Sequence, residues 1–201
     1  EIRQTRYASP TSLLKQEPAV LAPFKDKAPS RLERGRLIHT LLQTLPDLPE
    51  AEWDKRAEHF LKHAEDFNLE DREEMYEAAL SILNNSQFAD LFAPGSRAEA
   101  PIVGGNAEKL PEGMLINGRV DRLVVTDTTV TIVDFKTDRP APARVEDVGV
   151  AYLTQMAAYR AVLESAYPDK QVICALVWTD GPKLMELSAD MMDRALSELE
   201  L

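Results

Sequence analysis

Two β-branched runs, Val120 to Thr126 and Thr129 to Phe135, flank Asp127-Thr128, a polar break of the length used by a tight hairpin loop. If those two residues make the loop, paired positions sum to 255, which sets Asp121 opposite Asp134 and Arg119 opposite Lys136. Strand side chains alternate, so all four fall on one face. Like charges directly opposite one another destabilise a sheet, and a bound cation would remove that penalty. A register slip or bulge, for which Asp-Thr leaves more room than Asn-Gly, would instead separate the carboxylates and make each an ordinary strand-end residue. Lys136 stands two residues after Asp134 and so on the same face. Asp-x-Lys at the end of a buried strand sets an acceptor for a divalent metal beside a cation able to hold a water or a phosphate oxygen.

With 201 residues and 44% hydrophobic content, the chain is long enough for one sizeable core and short for two. The expectation is a single domain over 1–201, with 1–92 a mainly helical elaboration and 95–201 an α/β core. The single cysteine, Cys174, lies in an apolar run and excludes an internal disulfide or a cysteine-built zinc or iron–sulfur site. A reduced, cytoplasmic setting is therefore expected. No run approaches the roughly 18 apolar residues of a membrane span, and the N-terminus lacks a secretory pattern. The chain opens Glu-Ile-Arg without Met, which suits a piece of a longer polypeptide and equally a trimmed or processed chain.

A net charge of −11 argues against a free-standing nucleic-acid binder with a generally basic surface. The distribution carries more information. Residues 47–77 hold twelve acidic and four basic groups, whereas 1–46 hold eight basic and four acidic, and 116–144 five basic and four acidic. The acidic segment is expected to face solvent or a protein partner, away from the hairpin. A phosphate path near the hairpin would draw on Arg31, Arg34, Arg36, Arg119, Arg122, Arg139 and Arg144.

Before the hairpin, Ser9 to Leu14 reads as a helix start and Pro18 to Pro29 as a linker. A stronger helix begins at Ser30, with Leu32, Gly35, His39 and Leu42 near one stripe. Glycine in mid-helix costs about 1 kcal/mol relative to alanine, so Gly35 implies a close approach by another backbone or a ligand. His39 is one turn further on. Pro46 and Pro49 end this helix, and Glu50 to Phe67 and Leu69 to Leu83 read as two more, the second capped by Asn68. His59 and His63, one turn apart with charged neighbours, read as surface residues. Arg97 to Val103 reads as a strand in which Pro101 favours an edge and Glu99 is the polar residue able to point inward. After the hairpin, a helix over Val145 to Ala166 projects Tyr152, Gln155 and Tyr159 from one side. Core packing accounts for tyrosines there but not for Gln155, whose amide needs partners. Val172 to Trp178 and Lys183 to Leu187 are strands, and Ala189 to Glu200 is a closing helix.

Gly35-x-x-x-His39, Glu99, Gly118-Arg-Val-Asp121, Asp134-Phe-Lys136 and Gln155-x-x-x-Tyr159 occur in the order found in RecB-family nucleases of the PD-(D/E)xK superfamily. The wording around them, Gly-Arg-Leu-Ile-His-Thr-Leu-Leu, Val-Asp-Phe-Lys-Thr-Asp-Arg and Gln-Met-Ala-Ala-Tyr-Arg, resembles the C-terminal nuclease domains of AddA-type helicase–nuclease subunits. The resemblance implies an α/β restriction-endonuclease-like core, a central mixed sheet flanked by helices, with a helical N-terminal elaboration. The lack of a four-cysteine cluster parts the chain from the iron–sulfur members of the group.

By that resemblance His39, Asp121 and Asp134 bind a divalent metal, with the Phe135 backbone carbonyl as a further ligand. Carboxylate oxygens with one imidazole suit Mg²⁺, with Mn²⁺ able to substitute. Lys136 works on the attacking water and the scissile phosphate, Glu99 is a further carboxylate, Gln155 and Tyr159 position the phosphate or nucleotide, and Arg119 or Arg122 contacts the DNA backbone. The implied activity is exonucleolytic cutting of single-stranded DNA in repair and recombination, beside an AddB-like subunit and the helicase part of a parent chain. The alternatives are a non-catalytic nuclease-fold module for subunit or DNA contacts, and a stand-alone Cas4-like or phage-exonuclease-like enzyme.

Overall fold

The computed structural model describes residues 6–8, 28–105 and 107–198. The expected helix start at Ser9 to Leu14 and most of the Pro18 to Pro29 linker lie outside them. β3 (Met114–Val125) and β4 (Thr129–Lys136) form the hairpin, and the loop is Asp127-Thr128, tied by the Thr126 hydroxyl, which accepts from the Thr128 and Thr129 amides. The register is the expected one: Arg122 pairs with Val133, Leu123 with Ile132, Val124 with Thr131 and Val125 with Val130. Pairing stops there, one step short of Asp121 and Asp134. The two carboxylates therefore stand where the strands part, and the Phe135 amide donates to Asp121 Oδ2 (2.6 Å). Arg119 does not face Lys136 as the ideal ladder implied; it pairs with Pro101 across the other edge of β3.

Around the hairpin the sheet has six strands among the described residues. β1 (Arg6–Ala8) runs parallel to the start of β3, β2 (Arg97–Gly105) lies antiparallel along β3, β5 (Gln171–Trp178) is parallel to β4, and β6 (Lys183–Glu186) is antiparallel to β5. Among the described residues β2 pairs only with β3, so Pro101 does sit on an edge strand. The sheet is mixed, with helices on both faces, as a PD-(D/E)xK core requires.

Two hydrophobic clusters cover the two faces. One joins Ile116, Val120, Leu123, Ile132, Leu176 and Trp178 to α4 (Val150–Ala166) and α5 (Ala189–Ser197). The other joins Val133, Phe135, Ala175 and Val177 to α1 (Ala28–Thr44), α2 (Trp53–Leu61) and α3 (Leu69–Leu83). Each fully buried aliphatic or aromatic side chain contributes about 1.5–3 kcal/mol, so burial against the sheet and between the helices holds both layers. Along β3 the alternation shifts at Asp121: Ile116, Val120 and Leu123 face α4, but Arg122 turns toward α1. Opposite on β2, between the Ala98–Arg122 and Ala100–Val120 pairs, Glu99 has φ +50°, a left-handed conformation costing about 1–3 kcal/mol. Both strands break step at the same row.

Several boundaries differ from the sequence reading. α1 begins at Ala28, because Pro29 is tolerated in a first turn, where the N–H that proline lacks would have no helical acceptor. α2 stops at Leu61, and α3 starts anew after Asn68, whose extended backbone belongs to a capping box in which the Asp71 amide donates to the Asn68 side chain and the Asn68 amide to the Asp71 side chain. α4 starts at Val150, after a short 3₁₀ turn at Val145–Asp147 and an extended Gly149. Leu32 is not on a buried stripe: it is 77% exposed. Arg122 is the reverse case, 2% exposed, donating to the Leu42 carbonyl (2.9 Å) with its guanidinium over the Phe92 ring. That burial removes it as a DNA contact.

Gly35 has the close neighbour its position implied. A Cβ there would lie 2.8 Å from Thr137 Oγ1, just beyond β4. Helix propensity alone favours Gly35→Ala by about 1 kcal/mol, while overpacking costs about 1–3 kcal/mol. Urea unfolding is expected to show Gly35→Ala destabilising the wild type by about 1 kcal/mol, and stabilising the Thr137→Ala background instead. Stabilisation by Gly35→Ala in both backgrounds would mean that the two segments do not press together.

Candidate active site

The strand ends, α1 and α4 enclose one cleft of about 500 Å³, lined by His39, Glu99, Asp121, Asp134, Lys136, Gln155 and Tyr159. Seven positions scattered over 120 residues of sequence thus meet in one place. α1 supplies His39 five residues before its end, β2 Glu99, the hairpin Asp121, Asp134 and Lys136, and α4 the Gln155 and Tyr159 face.

Asp121 bridges the layers. One oxygen lies 3.3 Å from His39 Nδ1, and the other accepts the Phe135 amide. Asp134, 6% exposed, forms an ion pair with Lys136, which is 9% exposed. Lys136 also donates to Gln155 Oε1 (3.2 Å), giving that amide the partner a core position would not. The Tyr159 hydroxyl donates to the Arg119 carbonyl (2.8 Å) and accepts from the Arg119 amide (3.1 Å). Its bonds therefore secure β3 in place of reaching for a ligand. Arg119 itself is largely exposed and comes within 3.9 Å of Glu99.

The carboxylates titrate in opposite directions. Burial raises the pKa of Asp134, the Asp121 charge adds to this, and Lys136 only partly opposes it. Burial also acts on Asp121, but the His39 hydrogen bond and charge, the Phe135 amide and Lys136 outweigh it and hold the pKa below the usual value. Glu99 is raised by burial and by repulsion from Asp121. At His39 burial favours the neutral ring, yet the bond to Asp121 and the charges of Asp121 and Asp134 prevail and raise its pKa. The protein thus gathers negative charge faster than its own cations neutralise it.

Two carboxylates, one imidazole and a neighbouring backbone carbonyl are the donor types that hard or borderline divalent cations take. The residue types fit such an ion. Among the described residues no three His, Cys, Asp or Glu side chains already converge as a closed cage. The ion pair to Lys136 engages Asp134, and the Phe135 amide and His39 engage Asp121.

Beyond the predicted set, Tyr152, Thr137, Asp138 and Leu32 also line the cleft. Tyr152 shared the helical stripe of Gln155 and Tyr159 but read as core, Leu32 shared the stripe of Gly35 and His39 and also read as core, and Thr137 and Asp138 gave no periodic signal. Of the seven arginines of the expected phosphate path, only Arg119 lines the cleft. Arg34 and Arg139 pair with Glu74, Arg36 with Glu33 and Arg144 with Asp147. Eleven of the twelve acidic residues in 47–77 are exposed, and none lines the cleft. The exception is Glu74, half-buried on α3, which ties Arg34 to Arg139 while Arg34 reaches the Thr137 carbonyl (3.4 Å). One acidic residue therefore braces the loop that follows Lys136.

In metal-free protein, NMR titration of His39 is expected to give a midpoint above the ordinary 6.5, and Asp121→Asn to lower it, because burial then acts with less opposition. The linked stability is full below about pH 6.5 and fades as pH rises through the folded-state midpoint. A midpoint at or below 6.5 with Asp121 intact contradicts the geometry.

No curated protein matches the sequence significantly. A solved structure described as "Crystal structure of SSO0001" is similar at 14% identity over 86% of this chain and 85% of that one, with a TM-score of 0.35, too loose a likeness to bear on function. The model of the PD-(D/E)XK nuclease superfamily matches residues 12–196, which include every cleft residue named above. The chain belongs to the PD-(D/E)XK nuclease superfamily.

Proposed function

We propose that this chain is a metal-dependent deoxyribonuclease that hydrolyses phosphodiester bonds in single-stranded DNA, as the nuclease part of an AddAB- or RecBCD-like helicase–nuclease in double-strand-break repair. The observation that carries the reading is the placement of Lys136 between Asp134 and Gln155, in the cleft that also receives Asp121 and His39. Superfamily nucleases typically use divalent metals, and Mg²⁺, with Mn²⁺ as substitute, is the ion proposed here. His39, Asp121, Asp134 and the Phe135 carbonyl would hold it. When bound, such an ion lowers the pKa of a coordinated water and screens charge on the phosphate.

The remaining work falls to this chain's side chains. The Lys136 ammonium donates hydrogen bonds to the attacking water and to a nonbridging oxygen of the scissile phosphate, favouring the more charged transition state. Gln155, already bonded to Lys136, limits the directions the ammonium can take. Arg119, exposed at the cleft mouth, meets a neighbouring phosphate, and Tyr159 fixes the backbone from which Arg119 projects. Glu99 adds a further carboxylate beside Asp121. The exposed acidic surface of α2 and α3 would repel a polyanion and suits contacts with an AddB-like subunit, leaving the helicase part of a parent chain to deliver the strand. Cytoplasmic location follows from that role; no helix among the described residues is long and apolar enough to cross a membrane.

The test separates the carboxylate from the lysine. Asp134→Ala is expected to abolish single-strand cleavage and to weaken Mn²⁺ binding measured by calorimetry. Lys136→Ala is expected to lower cleavage by about 10²-fold or more while binding Mn²⁺ at least as well, since the cation that competes for Asp134 is gone. If Lys136→Ala cleaves like wild type, or loses the metal as fully as Asp134→Ala does, these roles are wrong.

A further inference from the structure

Lys136 has a third neighbour that neither the motif order nor the ion pair accounts for. Its Nζ stands over the Tyr152 ring, 3.9 Å from the centroid. The ring is fixed from both sides: the hydroxyl donates to Asp138 Oδ2 (2.6 Å), and Trp178 meets the ring in a T-shaped contact with centroids 6.0 Å apart. Tyr152 occupies the first turn of α4, three residues before Gln155, so one helix face presents both groups to the same ammonium. A tyrosine held at two points beneath a nearly buried cation is more than filler.

We propose that Tyr152 is a positioning residue that seats the Lys136 ammonium. The proposal rests on the reading of Lys136 as the working cation. Asp134 pairs with Lys136 and would also be one of the residues holding a divalent cation, in which case Lys136 would give up its bond to Asp134. The Tyr152 face and the Gln155 amide do not take part in that exchange. They keep Nζ in the cleft, where a strongly hydrated lysine would otherwise swing toward solvent. Because the ring attracts the ammonium without neutralising it, the full positive charge stays available to the phosphate.

The experiment combines NMR of metal-free protein with single-strand cleavage in Mn²⁺. The ε-methylene protons of Lys136, assigned by their loss in Lys136→Ala, are expected upfield of those of the exposed lysines because of the ring beneath them. Tyr152→Phe retains the π face, and Tyr152→Met fills similar volume without one. Phe is expected to keep the upfield shift and a kcat within about threefold of wild type; Met is expected to lose the shift and lower kcat by about ten- to thirtyfold with KM for DNA little changed. Unshifted Lys136 protons in wild type overturn the proposal, as does a Met variant that cleaves at the wild-type rate while Lys136→Ala does not. If wild type fails to cleave, or Lys136→Ala cleaves normally, the nuclease reading fails, and the upfield shift alone decides whether Tyr152 seats the lysine.

Discussion

Two carboxylates forced together at the end of a hairpin set the terms for the rest of this protein. Asp121 and Asp134 meet where the β3–β4 ladder ends, a juxtaposition that is destabilising without counter-charge; burial raises the pKa of Asp134, and the Asp121 charge adds to it. Every layer of the fold answers it. α1 brings His39 to Asp121, β4 supplies the Phe135 amide and Lys136, and α4 holds Lys136 through Gln155 and Tyr152. α3 contributes at one remove, through Glu74, Arg34 and the loop that follows Lys136. The side-chain alternation lost at Asp121 and the left-handed Glu99 beside it belong to the same solution. Both fall on the row where negative charge is gathered, with the backbone strain at Glu99, and ordinary ladder geometry resumes on either side.

The hairpin was legible because its information is local: a two-residue break between β-branched runs fixes register, and register fixes which residues face each other. Gly35 was legible for a similar reason, since glycine in mid-helix is costly unless something lies close, and Thr137 does. Arg122 and Leu32 show where this reasoning ends. By alternation and composition an arginine beside Asp121 belongs outside and a leucine in a helical stripe inside; the structure reverses both, because the phase shift at Asp121 aims Arg122 at the Leu42 carbonyl and the Phe92 ring. No periodicity contains that shift. Glu74 was hidden differently. Its charge averaged into an acidic segment, and only the tertiary approach of Arg34 and Arg139 singles it out.

The distribution of charge also bears on how a substrate would reach the site. The outer surface of α2 and α3 is acidic, and of the seven arginines of the expected phosphate path only Arg119 lines the cleft, where it is largely exposed and 3.9 Å from Glu99. A cleft of this kind captures a polyanion weakly from solution, which accords with the proposed delivery by a motor. Its interior is the opposite, rich in acidic oxygen and dependent on a cation for balance. Specificity for the reacting phosphate would then come from Lys136 and its seat, with little contribution from the long-range field.

The central claim is that Asp121, Asp134 and His39 share one divalent cation that displaces Lys136 from Asp134. Anomalous diffraction from crystals soaked in Mn²⁺ tests it most directly. The account predicts one strong peak in coordination distance of an Asp121 oxygen, an Asp134 oxygen and a His39 ring nitrogen, with Lys136 Nζ moved off the Asp134 carboxylate and still over the Tyr152 ring. No peak in this cleft at saturating Mn²⁺, or a peak elsewhere with the Asp134–Lys136 ion pair intact, would contradict it.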